Sequence, residues 1–130
     1  MTAKTYAGAM GAALVLLGIG GLLLGDYLLL GLLNIDLLED LVHIASGALL
    51  LFAASQRSGS LLRGIVGAVG VVYLLVGVLG FVVPYLFGLL PSGYTVFDNF
   101  LHVVLGILAL LSAGTSRLTE SERRAANPRA

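Results

Sequence analysis

The sequence predicts an all-α membrane fold: a four-transmembrane-helix bundle built from two tandem parallel helical-hairpin repeats. Three observations carry this. Of 130 residues, 58% are hydrophobic and 11% charged, against about 25% charged in an ordinary soluble domain, so the chain lacks the polar residues to cover a water-facing surface. The apolar residues fall into four segments, each near the ~20 residues that cross a ~30 Å hydrocarbon core. A set of polar residues then occurs twice, in the same order, in the two halves. Helices are the form open to such segments, because unpaired strands would leave backbone groups unsatisfied in lipid.

The first span runs from Thr5 to Gly25, 21 residues without a charge. Lys4 before it mimics a secretory signal, but the apolar run exceeds the ~7–15 residues of a signal core and no small-residue cleavage site follows. It reads as a retained helix, with Gly21 and Gly25 on a packing face. The second span, Leu37 to Ser55, carries Glu39, Asp40 and His43 near its start, and Asp36-x-x-Glu39 has the form of a capping box. The third begins around Gly64; Gly64, Gly67 and Gly70 read as a packing series, and Pro84, with no amide hydrogen, ends or kinks the helix. The fourth, Val96 to Gly114, carries Asp98, Asn99 and His102 near its start, behind a second capping box, Thr95-x-x-Asp98. Residues 1–114 therefore form one membrane domain. Residues 115–130 are polar, contain Pro128 and are expected to be a mobile cytoplasmic tail.

Repeat one covers about 5–55 and repeat two about 63–114. Gly31-Leu32-Leu33 matches Gly88-Leu89-Leu90, Asp40-x-x-His43 matches Asn99-x-x-His102, and each histidine is followed four residues later by a glycine, Gly47 or Gly106. Those glycines are expected in helix contacts. The odd-numbered helices align more loosely, pairing Gly8 with Gly64, Gly11 with Gly67 and Gly21 with Gly77. Two helices per repeat bring both copies in from the same side, which places any twofold axis along the membrane normal. The basic residues (Lys4, Arg57, Arg63, Arg117, Arg123, Arg124 and Arg129) all fall on one side, and Asp26, Asp36, Glu39, Asp40 and Asp98 lie toward the other. The positive-inside rule then makes both termini cytoplasmic.

Composition excludes several functions. A formal net charge of zero argues against nucleic-acid binding. Without cysteine there are no disulfides, thiolate metal sites or thioether-linked haem. Ser46 has no partner base, so nucleophilic catalysis has no support. Tyr27, Tyr85 and Tyr94 read as interfacial anchors, and Tyr6 and Tyr73 as packing residues. The expected partners are the lipid bilayer and other membrane proteins or a second copy of the chain.

Glu39, Asp40, His43, Asp98, Asn99 and His102 are the candidate functional residues. Asp36 and Thr95 read as helix caps, with Glu39 and Asp98 at the third helical position, where a carboxylate reaches back to the cap. Capping does not account for the histidines. About 10 Å along their helices, they fall where ionisable residues are rare and face the bundle interior. Four readings stay open: imidazoles that fix helix packing; a metal held by Glu39 or Asp40 with His43 and by Asp98 with His102; a haem b between His43 and His102; and proton or solute transport. The small size, short loops and missing catalytic constellation favour a non-enzymatic accessory or scaffolding component of a membrane assembly.

The duplicated hairpin, the Gly-Leu-Leu before each even-numbered helix and Asp98-Asn99-x-x-His102 resemble a family of small bacterial and archaeal four-helix membrane proteins of unknown function. Glu39-Asp40-x-x-His43 departs from that family's pattern in both leading positions. The resemblance implies a four-helix fold over about Thr5 to Gly114 and the plasma membrane of a prokaryote, and it implies no activity.

Overall fold

The computed structural model describes residues 1–25, 32–33, 36–89 and 93–126, with side chains to Thr115. The described residues form four α-helices, α1 (Ala3–Leu24), α2 (Leu37–Ser55), α3 (Gly59–Gly80) and α4 (Val96–Ala126), with a short 3-10 turn at Leu86–Gly88. Each is long and apolar enough to cross a membrane, α4 over Val96–Thr115. The expected all-helical four-span architecture is what the chain adopts.

Helix boundaries follow local chemistry. All four helices begin at a capping side chain, because the first turn leaves backbone N–H groups without helical partners. Thr2 accepts from Thr5 N at 3.1 Å, Asp36 from Glu39 N at 3.1 Å, Ser58 from Leu61 N at 3.4 Å and Thr95 from Asp98 N at 3.1 Å. Thr2 and Ser58 add to the two caps expected from sequence, and Ser58 moves the start of α3 five residues ahead of Gly64. α3 stops at Gly80, short of Pro84, where Val82 N and Val83 N both donate to the Leu79 carbonyl. Leu86 and Phe87 then take left-handed backbone angles (φ 41° and 59°), a costly conformation for residues with a side chain. α4 differs most from expectation. It continues as helix past Gly114 to Ala126, where a mobile tail was expected; Pro128 and Arg129 lie outside the described residues.

α1 packs chiefly on α2, and α3 chiefly on α4. Glycines set both contacts, since a missing side chain lets backbones meet. A Cβ on Gly47 would lie 2.8 Å from Gly11 O, and one on Gly106 would lie 2.8 Å from Gly70 O. Gly18 abuts the Asp40 carbonyl, and Gly77 abuts the Asn99 carbonyl. Gly21 faces the Asp40 side chain as Gly80 faces that of Asn99. Every one of these pairs is related by the same 59-residue spacing, which also relates His43 to His102. The looser glycine pairing read from sequence is thereby replaced: Gly11 corresponds to Gly70, Gly18 to Gly77 and Gly21 to Gly80. Gly25 is also reassigned. It has nothing within 4 Å, sits at φ 78° and closes α1 by donating its N–H to the Gly21 carbonyl, the usual use of a left-handed glycine after a helix.

The two hairpins meet through longer side chains. Tyr6 donates from its hydroxyl to the Leu105 carbonyl at 2.9 Å, and the Tyr73 hydroxyl lies 2.8 Å from Ser46 Oγ. Because Ser46 Oγ directs its proton to the Val42 carbonyl at 2.7 Å, Tyr73 is the donor of that pair. Toward the termini, the space between the hairpins is closed by Ala7, Leu50, Ala53, Val66 and Ala109, each 0% exposed.

Thr95→Ala removes the oxygen that starts α4 and one partner of Asp98. The expected loss is about 1 kcal/mol, read as a lower unfolding temperature in detergent; an unchanged transition would show the cap to be dispensable.

Candidate functional site

The site lies one to two turns into α2 and α4, at the ends joined by the α1–α2 and α3–α4 connections. It begins with two caps that the repeat makes equivalent and the side chains make different. Thr95 and Asp98 form a reciprocal box: Asp98 N donates to Thr95 Oγ1 at 3.1 Å, and Thr95 N donates to Asp98 Oδ2 at 3.0 Å. Thr95 Oγ1 also lies 2.8 Å from both Asp98 Oδ2 and the Leu32 carbonyl, which ties the α1–α2 connection to the start of α4. Asp98 thus caps its own helix while also bordering the site.

Glu39 stands at the corresponding place in α2 but carries one more methylene. Its carboxylate comes together with His43 and His102, each residue offering a ligand atom within 4.8 Å of the others, and all three are buried. Asp40 and Asn99 pack against Gly21 and Gly80 of their own hairpins. Of the six candidate residues, then, Glu39, His43 and His102 converge. The sequence offered Glu39 or Asp40 with His43 and Asp98 with His102; the carboxylate that gathers with both histidines is that of Glu39.

The imidazoles stack with ring centroids 6.2 Å apart and planes 12° from parallel. Nδ1 of His102 lies 2.7 Å from the Asp98 carbonyl oxygen. A carbonyl only accepts, so Nδ1 carries the proton and Nε2 keeps the lone pair, the arrangement that orients a metal-binding imidazole. His43 is 7% exposed, and its Nδ1 has no hydrogen-bond partner among the described residues.

Two tyrosines complete the surroundings. The Tyr73 ring is 5.3 Å from that of His102, and Tyr94 meets His102 edge-on at 5.0 Å. Tyr94 is therefore half-buried against the site. Burial, and then the negative charges of Glu39 and Asp36, push its hydroxyl far above the ordinary phenol range, so it stays neutral. Sequence reasoning missed both rings: position 73 corresponds to Leu14 in the first half, so the repeat gave no signal there. Tyr27 lies outside the described residues, and Tyr85 is exposed.

A cavity of about 40 Å³ adjoins the cluster, bordered by Glu39, Asp40, His43, Asp98 and His102 among leucines of α1 and α4. A water needs about 10–15 Å³ on this measure, so an ion with one or two waters fits. Drug-sized ligands occupy about 300–1,000 Å³, so the space as it stands is closer to an ion's than to a porphyrin's. No protein-family model, curated protein or solved structure matches this chain.

Proposed function

We propose that this chain is an integral membrane protein that holds one divalent transition-metal ion on Glu39, His43 and His102, as a non-catalytic accessory component of its membrane. The observation that carries this is the convergence of three buried ligand atoms within 4.8 Å. An ion centred among atoms so spaced lies about 2.8 Å from each, and a contraction of under ~1 Å per ligand reaches the ~2.0–2.2 Å of zinc–nitrogen and zinc–oxygen bonds. Two imidazoles and one carboxylate suit Zn(II), Fe(II) or Co(II). Mg(II) and Ca(II) prefer all-oxygen sets.

Imidazoles serving packing alone are expected to have their buried nitrogens partnered, and Nδ1 of His43 is not, among the described residues. We orient the bundle with its termini in the cytoplasm, on the positive-inside rule.

The test uses the full chain purified in detergent through a tag without histidines. Metal-stripped protein should bind one equivalent of Co(II), with a visible d–d spectrum displaced by Zn(II) and unaffected by Mg(II). His43→Ala and His102→Ala should each abolish the signal. Absence of stoichiometric binding, or binding that survives both substitutions together, would sink the proposal.

A further inference from the structure

We infer that the Glu39–His43–His102 centre exchanges its metal with one side of the membrane only, the side bearing the α1–α2 and α3–α4 connections. This deepens the metal-binding reading above and rests on it. Three independent features point the same way.

The first is depth. His43 is six residues into α2, roughly 9 Å from its start, and twelve residues, roughly 18 Å, from its end at Ser55. Glu39 lies closer still to the connections.

The second is packing. Between the cluster and the termini, Leu50, Ala53, Val66 and Ala109 are 0% exposed, and a close-packed apolar layer of this kind admits neither water nor an ion. In the other direction the cavity is bordered by residues of the first turns, Glu39 and Asp98, and by Leu33 of the α1–α2 connection. Among the described residues, Leu33 is the bordering residue that stands outside the helices.

The third is charge. Asp36, Glu39, Asp40 and Asp98 gather at the connection ends, whereas Lys4, Arg57, Arg63, Arg117, Arg123 and Arg124 belong to the opposite helix ends and the α4 extension. A cation approaching from the connections meets an attractive field, and one approaching from the termini meets a repulsive one as well as the apolar layer. With the termini inside, the ion comes from the extracytoplasmic face and returns to it.

The experiment uses full-length protein reconstituted in phosphatidylcholine vesicles and loaded with Co(II). Orientation is assigned by labelling Ser60→Cys, in a chain with no other cysteine, with a membrane-impermeant maleimide. A membrane-impermeant chelator is then added outside. Protein whose connections face the chelator should lose its metal, and protein facing the other way should retain it, with exchange at least about tenfold slower. Leu33→Ala should speed the loss several-fold from the connection side while the stoichiometry stays at one. Equal loss from both orientations, or loss from the terminal side, overturns one-sided exchange while leaving the metal site intact. Protein that binds no Co(II) in detergent overturns the metal reading, and this inference with it. Unchanged exchange in Leu33→Ala removes Leu33 from the entry route.

Discussion

Replacing Gly106 with valine is expected to drive α4 off α3 and to leave the second hairpin unable to fold in detergent. A Cβ at this position would stand 2.6 Å from Leu74 N and 2.8 Å from Gly70 O. Both neighbours are backbone atoms of a helix, so no side-chain rotation relieves the overlap and the helices must separate. Forcing a single extra carbon into a packed contact costs about 1–3 kcal/mol. Valine adds three carbons, and separation also gives up the close packing that holds helices together in lipid, where no hydrophobic effect drives them together. Gly47→Val should behave alike, since its Cβ would meet Gly11 O and Val15 N at 2.8 Å. Gly8→Ala and Gly64→Ala, with nothing within 4 Å, are the controls expected to be neutral. Thermal unfolding followed by helical circular dichroism separates the two groups, and a Gly106→Val protein melting like the parent would contradict the contact.

The second large effect is chemical. Glu39→Gln keeps the volume of the side chain and removes its charge, and metal affinity should fall by on the order of 100-fold or more, the upper end of what even outer-shell changes cost. That corresponds to about 2.7 kcal/mol. Helical content should be unchanged. Asp98→Asn provides the contrast. Asp98 borders the same cavity but is not one of the three gathered ligand atoms and bonds the Thr95 cap, so its substitution should weaken α4 while leaving one equivalent of Co(II) bound. If the two substitutions had interchanged effects on affinity, the assignment of Glu39 as ligand would fall.

Much of the frame was legible in sequence because the bilayer imposes a simple rule: an apolar run of about 20 residues must be a helix. The Asp36 and Thr95 caps and the Gly47 and Gly106 contacts were legible for a local reason, since each depends on residues within one helix turn or on the absence of a side chain. The site was legible only in membership. Spacing puts Glu39 and His43 on one face of α2, yet whether Glu39 or Asp98 turns inward depends on one methylene and on how Thr95 competes for the carboxylate. Tyr73 and Tyr94 reach His102 from other segments, and no period within a single helix encodes that. The correspondence of α1 with α3 was misread for a similar reason. Glycines are common in both helices, and the register becomes fixed only when Gly21 is seen against Asp40 and Gly80 against Asn99.

Mechanically, the molecule amounts to two backbone-packed paddles that meet along a joint of side chains. Within each paddle, backbone rests on backbone at glycines, and little can slide. Across the joint side chains meet instead: Tyr6 on the Leu105 carbonyl, Tyr73 on Ser46 and His43 on His102, with Ala7, Leu50, Ala53, Val66 and Ala109 filling the space toward the termini. The ligand atoms straddle that joint, two from one paddle and one from the other. A relative displacement of a single ångström is comparable to the contraction that metal bonds would demand there, so on the proposed reading tension between the hairpins and hold on an ion are one variable. Whatever pulls on the paddles from outside the bundle would then pull on that ion.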